Sequence, residues 1–468
     1  QTVTLREFFE NDQLPDMVAL RHDVDHDLDV ALEMAYWEAQ RGVRSTYYVL
    51  HTADYWKEPQ FSDKCLQLQD YGHEVGLHLN MLTEWMRGCT EAPAEELGRL
   101  LAPLRDAGVK IVGVSPHGDR LCYDRQFINS WCFSELRPEH PAVAESGLSA
   151  EGIPAESEQY AIAYPESGQL VRPDGKTFDL WSVSMNEIGI AYDAVHVRMD
   201  SYYTDTGGGW NRSPDPRQRD LGSGRHQVLM HPVHWREPQR AVFFLSTARS
   251  GSKWLVNLLD KATPLTARHE FTLNHRFADG RLREEKRTGP GLIELLENKP
   301  EAVSLLGEAC AWTRGLKGDY AEANVYLEMF LPELEEVFPD ALPVHLHRDP
   351  RDVVRSIMNR DWYDTPEDSR HPVMDVEGFD GLSQFEKVCW YVRRTNEKLS
   401  DWCERRVSFE RMVADRVYLA EVLGSLNIPI FERLARAEFD KKINVNYDYT
   451  FPEYARWSAG QKATFHEI

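Results

Sequence analysis

The sequence predicts an α/β protein with two domains, each built on a parallel sheet. Short apolar segments that favour strands, such as residues 17–20 and 242–245, alternate with helical stretches along the chain. The chain of 468 residues also exceeds the usual size of a single hydrophobic core. We therefore expect one domain at residues 1–238 and a second at residues 239–468, joined by about residues 236–240.

The amino-acid composition limits the binding partners and the cellular compartment that we expect for this protein. The formal net charge of −23 argues against nucleic acid or an anionic membrane surface as a general partner. No run of 18 apolar residues is present, and residues 1–15 are too polar for a signal peptide, so we expect no membrane segment. Seven cysteines without a C-x-x-C pair favour reduced thiols. A cytoplasmic microbial protein is favoured over a fragment from the Golgi lumen.

Four polar clusters follow strands in the first domain. They occupy residues 21–27, 72–80, 115–119 and 231–235. Because the carboxyl ends of parallel strands meet at one face, we expect their carboxylates and imidazoles to converge. Hydrolysis of an amide needs these groups: a metal to polarise the carbonyl, a carboxylate base, and an acid for the leaving nitrogen.

These clusters resemble the polysaccharide deacetylase family, which implies a distorted β/α barrel and a metal-dependent carbohydrate N-deacetylase activity. The resemblance assigns Asp23 as general base, His78 as first histidine ligand and His231 as acid. The usual adjacent pair of aspartates is interrupted here, because Val24 separates Asp23 from Asp25, the expected metal ligand.

The second histidine of the family pattern would fall at position 82, which is leucine. His117 is our first candidate for the third metal ligand because it follows a strand at the predicted rim. His26, His73 and His234 are held in reserve. A set of Asp25, His78 and His117 would suit Zn²⁺, although ligand type leaves other divalent metals open.

The second domain contains two segments suited to binding phosphate groups. In the first, the strand 242–245 leads into a turn of small residues and an apolar helix, which places backbone N–H groups around an anion. In the second, Arg348 ends a strand and Ser356 lies in the helix that Pro350 opens, so a cation and a hydroxyl can converge on a second phosphate. The expected donor-binding residues are Arg249, Ser250, Gly251, Ser252, Lys253, Trp254, Arg348 and Ser356.

These segments resemble the sulfotransferase family, from about residue 240 to the end of the chain. The resemblance implies a P-loop-like three-layer α/β domain with a parallel sheet, and 3′-phosphoadenosine 5′-phosphosulfate (PAPS) as donor, with 3′-phosphoadenosine 5′-phosphate (PAP) as product. It assigns the first loop to the 5′-phosphosulfate and the pair Arg348 and Ser356 to the 3′-phosphate. An ordinary P-loop nucleotidase is the alternative, but Lys253 does not directly follow a glycine and has no hydroxyl after it for Mg²⁺.

Three catalytic roles follow in the second domain. Arg249 stands where the family carries a cation that neutralises the leaving oxygen. Glu270 is our candidate for the base that deprotonates the acceptor, and His269 is the rival. Lys253 could bind the 5′-phosphate.

The order of the two domains is similar to that of the heparan sulfate N-deacetylase/N-sulfotransferases. It predicts a bifunctional enzyme that removes acetyl groups from N-acetylglucosamine in an oligo- or polysaccharide and then sulfates the exposed amine. One alternative is a sulfotransferase for carbohydrate hydroxyls with a non-catalytic, sugar-binding first domain. Another is a non-catalytic glycan-binding or assembly protein.

Overall fold

The computed structural model describes residues 2–146, 148–152, 154, 162–206, 208–210, 213–218, 221–235, 240–278, 281–285, 287, 289–316, 318–365, 368, 371–441, 443 and 450–468. The chain divides into two compact units, Gln1–Glu237 and Pro238–Ile468. The predicted boundary between residues 238 and 239, with most of the expected linker, lies outside the described residues.

The N-terminal unit is built on an eight-stranded sheet in which all neighbouring strands are parallel. The described strands of this unit are β1 (Thr2–Val3), β2 (Met17–Val24), β3 (Thr46–Leu50), β4 (Glu74–Leu79), β5 (Gly113–Pro116), β6 (Gln169–Val171), β7 (Thr177–Asp179), β8 (Tyr192–Asp193), β9 (Ser201–Thr204) and β10 (Arg225–Met230). The sheet runs β8-β5-β4-β3-β2-β10-β9, with β1 beside the start of β2, while β6 and β7 form a separate antiparallel hairpin.

Helices connect the parallel strands of this unit. They are α1 (Leu5–Glu10), α2 (Leu28–Gln40), α3 (Phe61–Asp70), α4 (Met81–Arg87), α5 (Pro93–Asp106), α6 (Arg120–Arg125) and α7 (Pro141–Ala144). Asp27 begins α2 by accepting hydrogen bonds from the N–H groups of Asp29 and Val30. This cap forces the chain to leave β2 and turn directly after the acidic cluster 23–27, which keeps that cluster at the carboxyl end of the sheet.

A distorted barrel was the expectation for this unit, and the structure shows the parallel sheet without closure. Among the described strands, β8 and β9 end the series and do not pair with each other, so the sheet is a curled, open half-barrel. The carboxyl ends of β2, β4, β5 and β10 still share one edge, because these strands are parallel. Convergence of the polar clusters requires only that shared edge.

The C-terminal unit has a five-stranded parallel sheet in the order β12-β15-β11-β16-β17, and an antiparallel hairpin, β13-β14. Its described strands are β11 (Ala241–Leu245), β12 (Thr266–His269), β13 (His275–Ala278), β14 (Arg281–Glu284), β15 (Tyr320–Asn324), β16 (Leu342–His347) and β17 (Arg405–Ser408). Strand β11 is central, which explains its uninterrupted apolar sequence, because both of its faces are covered. The predicted parallel sheet is confirmed.

Helices complete this unit. They are α8 (Ser252–Ala262), α9 (Gly289–Glu297), α10 (Lys299–Arg314), α11 (Leu331–Val337), α12 (Pro350–Met358), α13 (Gln384–Trp402), α14 (Phe409–Ala414), α15 (Arg416–Ser425), α16 (Glu432–Phe439) and α17 (Ala459–Glu467). One buried cluster joins β11 to α10 and α11, and another joins α12 to α13. In the described part of both units, every helix is too short or too polar to cross a bilayer.

Candidate functional sites

Asp25, His78 and His117 come together at the carboxyl end of the N-terminal sheet. Asp25 Oδ1 lies 3.3 Å from His78 Nε2 and 3.5 Å from His117 Nδ1. The two histidine nitrogens are 3.3 Å apart. Ligands at zinc–nitrogen distance in a tetrahedral site are separated by about 3.3–3.4 Å, so these three atoms have the spacing of three corners of such a site.

The hydrogen bonds around this cluster leave its ligand atoms available. His78 Nδ1 lies 2.9 Å from the Ser115 carbonyl oxygen, so it donates there and leaves the Nε2 lone pair facing the cluster. Asp25 Oδ1 is buried and has no hydrogen-bond partner among the described residues. A buried carboxylate oxygen facing a nitrogen lone pair is costly unless a cation lies between them. The cluster therefore fits a divalent cation.

Asp23 is held as a carboxylate by an arginine on its own strand. Arg21 donates from Nη2 to Oδ2 over 2.6 Å and from Nε to Oδ1 over 2.9 Å. Burial opposes ionisation, but Arg21 and His78 outweigh it and keep the pKa of Asp23 below its ordinary value. Sequence reasoning missed Arg21. The signal was its spacing, because residues two apart on a strand share a face.

His231 follows β10 and is oriented by a second carboxylate. Its Nδ1 lies 2.6 Å from Asp205 Oδ1, and the Trp235 indole N–H donates to Asp205 Oδ2 over 2.6 Å. His231 Nε2 lies 3.7 Å from Asp25 Oδ2. Burial lowers the pKa of His231, but Asp205 and the neighbouring aspartates raise it by a larger amount, so the net shift is upward. Sequence reasoning also missed Asp205, which directly follows β9.

A cavity of about 450 Å³ contains the polar side chains of this site. Its polar lining includes Arg21, Asp23, Asp25, His78, His117 and His231, and its apolar lining includes Phe127, Ile128, Val195 and Leu229. Tyr202, in β9, also lines this cavity. These polar side chains therefore line one open cavity, which a small polar ligand can enter.

The reserve histidines do not join the cluster. His26 and His234 are exposed, and the His234 ring centroid lies 5.7 Å from that of His231. His73 is buried, with Nε2 2.9 Å from the Ala35 carbonyl oxygen and Nδ1 2.9 Å from Ser45 Oγ, which is a structural role. Leu82 is buried in α4. The third member of the cluster is therefore His117, which directly follows β5.

The loop 246–251 connects β11 to α8 in the C-terminal unit. Its hydroxyls form an internal contact, since Thr247 Oγ1 and Ser250 Oγ are 2.6 Å apart. Gly251 has φ +89°, and a Cβ atom there would overlap the Phe409 ring. The loop delivers the first N–H groups of α8, at Ser252, Lys253 and Trp254, which a helix leaves without internal partners. A turn that ends at the N-terminus of a helix in this way is the arrangement expected for binding an anion.

The second motif contacts this loop directly. Arg348 follows β16 and donates from Nη1 to the Arg249 carbonyl oxygen over 2.6 Å. Arg249 in turn donates from Nε to the buried Ser356 Oγ of α12 over 3.0 Å. The two segments predicted to bind separate phosphates therefore meet through Arg348, Arg249 and Ser356.

Two buried polar atoms at this junction have no hydrogen-bond partner in the described part of the chain. They are Ser246 Oγ and Arg348 Nε, and the latter lies 4.0 Å from Glu410 Oε1. Buried donors of this kind are costly unless a ligand satisfies them. The junction thus fits an anionic ligand.

The two candidate bases lie beside the loop, at the end of β12. His269 Nε2 is 2.9 Å from Ser252 Oγ, and burial together with the Lys253 charge lowers the pKa of His269 to about 4. Glu270 adopts φ +50°, and its Oε1 lies 3.7 Å from His269 Nε2. His269 is therefore neutral at pH 7, and both groups could accept a proton.

Trp254 and Lys253 differ in what they can offer a ligand. The Trp254 side chain is buried against Phe409 and Phe439, and its indole N–H donates to the Phe439 carbonyl oxygen over 3.2 Å. Its expected binding role can thus come only from its backbone N–H. Lys253 is exposed, so its ammonium group is free to reach a ligand.

The fold and the loop junction define an α/β protein whose C-terminal unit has a site suited to an anionic ligand. Residues 241–432 match the model of the sulfotransferase family. The C-terminal unit therefore contains a sulfotransferase domain. No curated protein matches the chain.

Several solved structures are also similar to the chain. The sulfotransferase domain of the Synechococcus olefin synthase is 14% identical, with a TM-score of 0.28, and the match covers 46% of this chain and 92% of that one. A sulfotransferase from Mycobacterium tuberculosis is 14% identical, with a TM-score of 0.29 and coverage of 50% and 78%. The sulfotransferase domain of the curacin biosynthetic pathway is 15% identical, with a TM-score of 0.29 and coverage of 47% and 84%. Structural similarity at this level does not indicate a function.

Proposed function

We propose that the C-terminal unit transfers the sulfuryl group of PAPS to the amine of a glucosamine residue. The observation that carries this proposal is the contact of Arg348 with Arg249 and of Arg249 with Ser356. These contacts bring the two segments predicted to bind phosphate groups next to each other. A ligand with two separated phosphate groups matches such a pair of sites. The sulfotransferase family match for residues 241–432 supports sulfuryl transfer by this unit.

The roles in donor binding follow from the groups available. The N–H groups at the start of α8 and the Lys253 ammonium suit the 5′-phosphosulfate. Arg348 and Ser356 suit the 3′-phosphate, which would satisfy Arg348 Nε. Arg249 lies between the two and can neutralise the phosphate oxygen that leaves sulfur.

Glu270 is proposed as the base. The acceptor nitrogen forms a bond to sulfur, the bond between sulfur and the phosphate oxygen breaks, and its electron pair stays on that oxygen. Glu270 takes the proton that the amine loses. A sugar amine with a pKa of roughly 7.7–8.0 needs only modest help from a base. His269 is the alternative, but its Nε2 is already in contact with Ser252 Oγ at the start of α8.

A transfer assay with matched acceptors tests this proposal. With a metal chelator present to stop the proposed acetamide hydrolysis, labelled PAPS would be incubated with a de-N-acetylated glucosamine oligomer and with its fully N-acetylated counterpart, which has the same hydroxyls but no amine. We expect label on the first oligomer alone. Label on both at equal rates would favour sulfation of hydroxyls, and label on neither, with no binding of PAP, would contradict the proposal.

A second activity is proposed for the N-terminal unit, namely metal-dependent hydrolysis of the acetamide of N-acetylglucosamine. The observation that favours it is the spacing of Asp25, His78 and His117 around a buried carboxylate oxygen that has no hydrogen-bond partner among the described residues. A divalent cation, with Zn²⁺ as first choice, would polarise the amide carbonyl and a water molecule.

The remaining residues of that site would move protons. Asp23, ionised beside Arg21, would take a proton from the attacking water. His231, with its raised pKa and its Asp205 partner, would give a proton to the leaving nitrogen. The products are acetate and a free amine.

The two proposed activities form one sequence, since hydrolysis exposes the amine that sulfation consumes. The proposed partner is an oligo- or polysaccharide that contains N-acetylglucosamine. Acetate release from such an oligomer would be measured after chelation and after Zn²⁺ is restored. We expect His117→Ala to lose both metal binding and acetate release, whereas His26→Ala, at an exposed histidine, keeps both. If wild-type protein bound no metal, the first unit would be a sugar-binding module at most.

A further inference from the structure

Tyr391, in α13, supports the loop 246–251. Its hydroxyl accepts a hydrogen bond from the Ala248 backbone N–H over 3.0 Å. The side chain is fully buried, and its ring centroid lies 5.2 Å from that of Trp362. Burial, reinforced by the charge of Glu328, raises the pKa of Tyr391 well above its ordinary value. The phenol is therefore protonated at any working pH, and its oxygen is always present as a neutral acceptor.

The residue that follows Ala248 has a strained backbone. Arg249 adopts φ +69°, in the left-handed region, which is unfavourable for a residue other than glycine. Its carbonyl oxygen accepts from Arg348 Nη1 over 2.6 Å. The strained stretch is thus held on both sides, by Tyr391 at the Ala248 N–H and by Arg348 at the Arg249 carbonyl. Strained conformations persist where their surroundings fix them in this way.

Arg348 holds this stretch at the Arg249 carbonyl only, so the Ala248 side depends on Tyr391. Tyr391 lies in the buried cluster between α12 and α13, and its only polar atom contacts the loop backbone. The contact does not depend on a bound donor. It therefore gives the loop a fixed point before any ligand arrives.

We propose that Tyr391 is a positioning residue that pre-forms the donor-binding loop. This inference rests on the proposed donor-binding function of the C-terminal unit. If the loop is already ordered, none of the binding free energy is lost in ordering it, so the apparent affinity for the donor is higher. The same hydroxyl has no part in the chemical step, so its effect should fall on donor affinity and not on turnover at saturating donor.

The test compares two tyrosines that lie in the same buried cluster. Tyr391→Phe removes the acceptor of the Ala248 N–H, while Tyr363→Phe removes a hydroxyl that donates to the Pro372 carbonyl oxygen over 2.6 Å. We expect Tyr391→Phe to weaken PAP binding by about three- to tenfold and to raise the donor KM equally, with kcat unchanged. Tyr363→Phe should lower thermal stability but leave the PAP dissociation constant within about twofold.

A second measurement needs only wild-type protein. Amide hydrogen exchange of peptides that cover residues 246–251 should show a protected Ala248 amide before PAP is added. Fast exchange at that amide, or equal PAP affinity in Tyr391→Phe and wild type, would overturn the inference. Wild-type protein that binds no PAP would instead contradict the proposed function, while the exchange result would still decide whether Tyr391 fixes the loop.

Discussion

Replacement of Arg348 by alanine tests the donor site most sharply. The substitution removes the Arg348 Nε atom, which is buried without a hydrogen-bond partner among the described residues, and the 2.6 Å bond from Nη1 to the Arg249 carbonyl oxygen. A hydrogen bond from the charged guanidinium to a phosphate contributes about 1.5–3 kcal/mol, and loss of the support that Nη1 gives the loop adds about 1 kcal/mol. We therefore expect a loss of about 2–4 kcal/mol, which is roughly 30- to 700-fold in the PAP dissociation constant.

Isothermal titration with PAP measures this loss, and Arg351→Ala is the matched control. Arg351 lies three residues further along the chain, is half exposed and pairs with Asp349, so its removal changes net charge equally without touching the junction. Arg351→Ala should bind PAP within about threefold of wild type. Equal losses in the two variants, or a loss below threefold in Arg348→Ala, would refute the assignment of Arg348 to the 3′-phosphate.

Three further outcomes are expected. Asp23→Asn should abolish acetate release but leave sulfation of a de-N-acetylated oligomer intact, as followed by mass spectrometry; loss of both activities in folded protein would contradict separate sites. Gly251→Ala should abolish PAP binding, because the new Cβ would overlap the Phe409 ring, whereas Gly307→Ala, at a glycine with open space around it, should not. Burial raises the pKa of Glu328 to about 8, so the folded state holds this proton more tightly than the unfolded chain, and stability falls as pH rises from about 4.3 to about 8. In urea titrations Glu328→Gln should therefore gain roughly 3 kcal/mol over wild type at pH 8 relative to pH 5, and a pH-independent difference would show that Glu328 ionises normally.

The sequence pattern was sufficient to predict which segments meet at each site. The apolar strand 242–245 and the small-residue turn after it predicted the loop, and Pro350 predicted the start of α12. Asp25, His78 and His117 follow or end parallel strands, and their proximity required only that those strands share an edge.

The supporting residues were harder to predict, because their roles depend on tertiary contacts. Asp205 and Tyr391 act on partners that are 26 and 143 residues away in sequence, and no local pattern marks either one. Trp254 was expected to bind the donor, but its indole is used to pack α8, since local sequence does not show which neighbours surround a helix face. The sequence pattern also did not predict that the N-terminal sheet stays open. Alternation of strands and helices specifies parallel pairing, but it does not specify how many strands complete a barrel.

The most direct test of the central claim is calorimetry of wild-type protein with PAP, with adenosine 5′-monophosphate as the comparison ligand. The account predicts that PAP binds at least about 30-fold more tightly, because Arg348 and Ser356 contact a 3′-phosphate that the monophosphate lacks. It also predicts that Arg348→Ala erases most of that preference. Equal affinity for the two nucleotides, or no binding of PAP, would contradict the claim that the contact between Arg348, Arg249 and Ser356 forms a two-phosphate donor site.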